Sequence, residues 1–407
     1  MSAFRLPPAL ESAELALYKE QYGASVREMD RTVATTPSSS GIIDLTHGDT
    51  RAFLPPESAE RDFVAGLADN SEAYTAYRGS ASVRATIAPQ LSALLGRSVD
   101  PDHQVVLTPG TQGGLFTSLS ALIAPGDVVA FPAVEYFMDE RICAYLGATS
   151  YRLPLHQDEH GIITIKDDDL DEATRRGVSG LVLSHPNNPT GGVYARESAE
   201  RLAAWVVAND LWAVIDQLYC RLVFDDHDYV HLGSLRGMSE RTVVLVGPSK
   251  TESMSGYRVG AAVGPRELVD AMEQVISLTA LRTAGYAQQA LRHWMDDDGP
   301  WLDERTKAHQ QIRDTLVERF RSIPGVTVSI PAGSSYIFPD VSQSPWALAH
   351  GSDDFALAVS FKKSGVLVAP GYQFGLAGRG HFRINFSQDA DRLSRACDVI
   401  EEVLVTL

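Results

Sequence analysis

The chain has 407 residues, 44% of them hydrophobic, enough to bury a sizeable core and to set an expectation of two or three domains rather than disorder. Its 35 basic and 52 acidic residues leave a net charge of −17, which repels phosphate backbones and anionic headgroups, so neither nucleic acid nor membrane is an expected partner. Cys143, Cys220 and Cys397 are too scattered for a disulfide framework, no Cys/His spacing points to a metal, and MSAFRLPPALESAELALYKEQ does not read as a signal peptide, so a cytoplasmic protein is expected.

Along the chain, an N-terminal helical stretch is followed by TTPSSSG at 35–41, the one obvious flexible connector. From about residue 80 to 290, helical patterns alternate with short apolar runs: QVVLT (104–108), VVAF (128–131), GLVLSH (180–185), LWAVID (211–216), TVVLVG (242–247) and VGAAVG (259–264). Continuous apolar strands between helices predict a mostly parallel sheet covered on both faces, with ligands at the strands' carboxyl ends. Beyond about residue 300, HQQIRDTLVERFRSI and DADRLSRACDVIEEVLVTL read as long amphipathic helices interleaved with strand-like VTVSIP, SYIFPDV, VLVAP and HFRINF. The expected division is an arm over 1–55 that joins the small domain, a large α/β domain over 56–295, and a small α+β domain over 296–407.

Four elements carry chemistry. In GPSKTESMSGYRVG (247–260), Lys250 follows an apolar strand, where it can form a Schiff base with an aldehyde, while Ser249 and Arg258 supply a hydroxyl and a fixed cation for a phosphate. In PGTQGGLF (109–116), the N–H groups of Gly110, Thr111 and Gln112 open a helix whose N-terminus favours an anion. SHPNNPTGG (184–192) contributes Asn188, and IDQLY (215–219) places Asp216 at a strand's end with Tyr219 close behind. Asp216 can keep a pyridine nitrogen protonated, and Asn188 and Tyr219 can donate to a ring oxygen. Read alone, NNPTG is a turn and Asp216 a helix N-cap.

In this order and spacing the four elements resemble fold type I pyridoxal 5′-phosphate (PLP) enzymes, the class I/II aminotransferase family, from DLTHGD (44–49) to the C-terminus. The resemblance implies a large domain with a mostly parallel seven-stranded sheet between helices and a smaller α+β domain. It implies PLP as cofactor, Lys250 as Schiff-base lysine and general base, Arg258 and Ser249 as phosphate ligands, Asp216 as partner of the ring nitrogen, and Asn188 and Tyr219 as ligands of the ring oxygen. By position, Tyr136 stacks on the cofactor, Tyr74 in YTAYRG reaches the phosphate in a neighbouring subunit of a homodimer, and Arg383 in HFRINF takes the substrate's α-carboxylate. The implied reaction moves an amino group between an L-amino acid and a 2-oxo acid. The same residues also serve β-elimination, cyclisation or O2-dependent oxidation in related enzymes. A PLP-binding regulator fused to a DNA-binding segment is disfavoured by the net charge and by the lack of a basic helix-turn-helix before residue 40.

Several positions depart from the family pattern. Gly247 stands where many members have serine, and Tyr372 in PGYQFG takes a place usually held by a small residue. Gly48 belongs to the loop whose backbone lies beside the substrate in the family, and its neighbours His47 and Asp49 either read the substrate's side chain or cap a turn. His47, Asp49 and Glu20 favour a polar or cationic side chain. Arg282 is the nearest candidate for a distal carboxylate, but its spacing also fits a residue that crosses between subunits.

Overall fold

The computed structural model describes residues 8–13, 17–38, 41–68, 73–296 and 298–406. Ser39 and Ser40 of the expected connector lie outside the described residues. The preceding helix, Val26–Thr35, starts on a capping box in which Ser25 and Glu28 satisfy each other's backbone N–H groups.

Seven strands form the central sheet: β1 (Val105–Thr108), β2 (Val128–Pro132), β3 (Thr149–Leu153), β4 (Val178–Ser184), β5 (Trp212–Asp216), β6 (Thr242–Val246) and β7 (Gly260–Val263). Their spatial order is β1-β7-β6-β5-β4-β2-β3, and only β7 runs antiparallel to its neighbours. Burial on both faces explains the apolar runs. Leu181 and Leu183 face a core shared with Leu202 and Val206 of the helix Arg196–Ala208. Val182 and Val214 face the other side, against Leu115 and Leu119 of the helix Gly110–Leu122 and Met272 of the helix Arg266–Leu278. Six of the strands coincide with the apolar runs of the sequence. The seventh, β3, has no such run because it is an edge strand, with Thr149 and Ser150 exposed.

A second core gathers Leu316 and Phe320 of the helix Gly299–Arg321, Phe361, Phe382, Ile384 and Ile400 of the helix Ala390–Val405. Phe382–Asn385 pairs antiparallel with both Tyr336–Ile337 and Ala369–Pro370. The N-terminal part of the chain joins this core through Leu45 and through the pairing of Ile43 and Asp44 with Val366 and Leu367. VTVSIP is not a strand: Thr327 makes one isolated bridge to Asp340. Its alternation arises because Val326 and Val328 both turn into the core.

Gly180 sits in the middle of the sheet, where the Trp212 indole lies over it; a Cβ there would fall 2.1 Å from a ring carbon. Gly180→Ala is therefore expected to destabilise the fold by about 1–3 kcal/mol. An unchanged urea denaturation midpoint would contradict this packing role.

Candidate active site

The carboxyl ends of five parallel strands meet at one pocket of about 390 Å³. β1 leads into Thr111 and Gln112, β2 into Tyr136, β4 into Asn188, β5 ends on Asp216 with Tyr219 just beyond, and β6 leads into Ser249 and Lys250. Arg258, Arg383, His47, Ser255 and Tyr336 complete the polar lining. Register fixes the depth of the carboxylate, because Asp216 lies opposite Ser184 of β4 and Leu245 of β6.

At one end, the Arg258 guanidinium lies over the N-terminus of the helix Gly110–Leu122. A Cβ on Gly110, which has φ +71°, would fall 2.4 Å from Arg258 Nη2. Arg258 Nη1 donates to the Ser255 carbonyl at 2.7 Å, which orients the group. Ser249 Oγ is buried beside this end with no hydrogen-bond partner among the described residues. A cation, a free hydroxyl and first-turn N–H groups make an anion cradle. Glycine at 247 has a steric reason: a Cβ there would lie 3.2 Å from both Thr111 Cγ2 and Gly260 Cα.

At the other end, Arg383 is buried between the rings of Tyr336 and Phe374, 4.0 and 4.8 Å from their centroids. Its Nη1 donates to Asn188 Oδ1 at 2.7 Å and its Nη2 to the Thr46 carbonyl at 3.3 Å, while Nε is buried without a partner among the described residues. The loop that carries His47 is seated on the second core: Asp49 N donates to the Ser387 carbonyl at 2.7 Å and Gln388 Nε2 to the His47 carbonyl. Asp49 caps this turn, accepting from Arg51 N at 2.8 Å, and is not among the pocket-lining residues. Gly48 lies against Ser387 rather than on the pocket wall; a Cβ there would be 3.5 Å from Ser387 Cβ.

Between the two ends, the Tyr136 hydroxyl donates to Gln112 Oε1 at 3.0 Å, and the buried Tyr219 hydroxyl has no partner among the described residues. Burial pushes the Asp216 carboxyl up to about 6, against the opposing pull of the Leu218 N–H, 3.1 Å away, and of the Lys250 charge. Tyr336 was not singled out by sequence, where SYIFPDV offers only a strand pattern. Burial raises its hydroxyl, but the charges of Lys250 and Arg383 outweigh this and hold it below its ordinary value.

Tyr74 is not brought to this pocket within the chain. It is 80% exposed, and the Arg282 guanidinium lies between its ring and that of Tyr77, at 4.4 and 4.5 Å. Arg282 lines a separate cavity that shares Arg258 with the first. Tyr372 is buried away from the site, and its hydroxyl donates to Asp30 of the helix Val26–Thr35 at 3.0 Å. The larger residue there anchors the N-terminal helix.

An Asp whose folded pKa is raised from about 3.9 to about 6 favours the folded state at low pH and loses that contribution as pH rises through the folded value. The Asp216→Asn chain, freed of ligand, is therefore expected to exceed wild type in stability by about 1–3 kcal/mol above pH ~6, with the gap closing toward pH ~4. Urea titrations at several pH values measure this, and a gap that widens toward acid contradicts it.

Residues 40–400 match the family model described as Aminotransferase class I and II. The chain is 29% identical over 400 residues to an aspartate/prephenate aminotransferase of Cereibacter sphaeroides, covering 97% of this chain and 98% of that protein. It is 28% identical over 367 residues to an arginine–pyruvate transaminase of Pseudomonas aeruginosa, covering 90% and 91%. The solved structure of an aspartate aminotransferase from Rhodobacter sphaeroides superposes with a TM-score of 0.84 at 32% identity, covering 96% of this chain and 98% of that one. With the family match spanning both cores and the pocket between them, the chain belongs to the class I and II aminotransferases, enzymes that transfer amino groups.

Proposed function

We propose that this aminotransferase uses PLP, held by Lys250, to move the amino group of an L-amino acid to a 2-oxo acid, and that it works in the cytoplasm as a homodimer with shared sites. The observation that carries the reading is one pocket that holds an anion cradle, a lysine, a carboxylate and a second arginine. The residues fit the cofactor. Ser249 Oγ and Tyr219 Oη are buried donors without partners among the described residues, and both suit a phosphate or a ring oxygen. Glycine at 110 leaves room for Arg258 over the helix N-terminus. Asp216 gains a favourable partner from a protonated ring nitrogen, which offsets the burial that raises it.

In this reading Arg258, Ser249 and the N–H groups of Gly110, Thr111 and Gln112 hold the phosphate, Tyr136 stacks on the ring, and Asn188 and Tyr219 hold the ring oxygen. When bound, PLP supplies a sink for the electron pair left as the Cα–H bond of an amino acid breaks. Arg383 binds the α-carboxylate, its guanidinium oriented by Asn188 and Thr46. The Lys250 amine, freed when the substrate's amine displaces it, would take the Cα proton as general base and, as its conjugate acid, would give a proton back. Asp216 stays ionised beside the ring nitrogen and holds a proton there. His47 is the pocket residue placed to read the substrate's side chain, and Gly48 backs that loop. The division at 55/56 and 295/296 belongs to the same proposal, supported by a hydrophobic core drawn mostly from residues 316–404, beside those that cover the two faces of the sheet.

Lys250→Ala is expected to remove the borohydride-fixable link to the cofactor and to lower activity by at least about 10²–10⁴-fold; a mutant that keeps the link would sink the assignment. An amino-donor panel spanning acidic, aromatic and cationic side chains tests the reaction. The visible band should be lost with the donor and restored by a 2-oxo acid. Product formed with oxygen uptake or ammonia release, and no acceptor, would replace transfer by oxidation or elimination.

The shared site rests on Tyr74, which stands exposed with its ring against Arg282, a residue that lines one cavity with Tyr286. Tyr74→Phe is expected to weaken cofactor retention without changing the fold. Mixed dimers with Lys250→Ala should regain activity, because both defects fall in one site and leave the other intact. Undiminished retention in Tyr74→Phe, or a wild-type protein that sediments as an active monomer, would overturn the model.

A further inference from the structure

Behind the pocket wall two more carboxyl groups are buried, and the reaction as derived uses neither. Glu135 is 1% exposed and Asp139 2% exposed. Their surroundings differ sharply. Glu135 accepts from Tyr136 N at 2.8 Å, Ser184 N at 3.0 Å, Asn187 Nδ2 at 3.3 Å and the Ser184 hydroxyl. Asp139, in the first turn of the helix Phe137–Tyr145, has no hydrogen-bond partner on either oxygen among the described residues.

Titratable groups that interact electrostatically with Asp139 come from several neighbouring elements. Glu135 and Tyr136 come from the loop after β2, Asp216 from the end of β5, and Cys143 from its own helix. Arg152 of β3 is the one cation that acts on it among these groups, and that guanidinium is already paired with Glu140. Asp216 has the Lys250 charge beside it, but Glu135 and Asp139 have only the Arg152 charge between them, so both cannot ionise where solvation is this poor. Burial raises both Glu135 and Asp139, and only Glu135 has donors that pull back. When two acids compete in this way, the proton stays on the one without donors.

We propose that Asp139 is a permanently neutral carboxylic acid, a positioning residue that keeps a further negative charge out of the wall, so that Asp216 has one buried carboxylate behind it, Glu135, and not two. An ionised Asp139 would push Asp216 toward its neutral form and remove the partner of the ring nitrogen. That consequence rests on the role proposed for Asp216. The protonation state of Asp139 does not.

Infrared spectra of the full chain, unlabelled and with 13C-aspartate, test the proton's location at pH ~8, above the values of about 6 for Asp216 and about 7 for Asp354. A protonated-carboxyl band that shifts with the aspartate label and disappears in Asp139→Asn is expected. Absence of a label-sensitive band overturns the proposal and needs no variant to fold.

Melting of the cofactor-free full chain gives a second reading. Unfolding releases the Asp139 proton at any pH above about 4, so wild-type stability falls as pH rises. The melting temperature of Asp139→Asn minus that of wild type should therefore grow between pH ~5 and ~8; a flat or shrinking difference overturns the proposal. With cofactor bound, Asp139→Asn should leave the pH midpoint of the visible band within about 0.5 unit. A larger shift would mean that Asp139 had been charged, and this arm separates failure of the Asp139 assignment from failure of the proposed cofactor, which would leave no band to titrate.

Discussion

Everything in the pocket depends on where β5 stops. The pairing of Asp216 with Ser184 on one side and Leu245 on the other puts the carboxylate at the common edge of three parallel strands, where the backbone turns away and the covering helices leave a gap. Side chains from β1, β2, β4 and β6 converge on that edge because parallel strands all end on the same side. Had any of these strands run the other way, its loop would lie on the far edge of the sheet.

The convergence is bought with stability. Ser249, Tyr219 and the Nε of Arg383 are buried polar atoms without partners among the described residues, and each such group costs roughly 1–3 kcal/mol relative to a satisfied one. The apolar layers on both faces of the sheet, from Leu119 and Met272 on one side to Leu202 and Val206 on the other, provide the burial that offsets this. A bound anionic ligand that satisfies those atoms would stabilise the fold by mass action.

The two cores are coupled through the loop that carries His47. Arg305 of the helix Gly299–Arg321 donates to the Leu54 carbonyl at 2.9 Å and to Ser253 Oγ at 3.3 Å, so one guanidinium ties the 46–54 loop to the lysine loop. His309, one turn along, packs on Phe53 at 4.2 Å between ring centroids and meets Ser387 Oγ at 3.0 Å. Burial lowers this imidazole to about 4, so at neutral pH it is uncharged. Its Nδ1–H donates to the Arg305 carbonyl at 2.8 Å, which leaves Nε2 to accept from the serine. The substrate end of the pocket is thereby built on the second core while the anion cradle is built on the first.

The sequence by itself determined the apolar strands, the glycines of the strand-to-helix turn at 109–116, and the placement of Asp216 at a strand's end and of Lys250 just past another, because periodicity and turn chemistry are local properties. Arg258 was read from its place eight residues after Lys250, with Ser249 adjacent, whereas Arg383 was legible only through resemblance, since nothing in its own neighbourhood distinguishes it from a surface arginine. Tertiary structure alone decided that Asp49 caps a turn, that Arg282 stacks between two tyrosines away from Lys250, and that Tyr336 lies under Arg383. It also decided that β3 exists, because an exposed edge strand carries no apolar run. The difference between Glu135 and Asp139 shows the physical reason most directly. The two acids lie four residues apart in one segment, yet beyond the neighbouring Tyr136 N–H the donors that hold one and are missing from the other come from Ser184 and Asn187, about fifty residues away. Which buried polar atoms find a partner depends on how distant strands are brought together, and no local pattern records it.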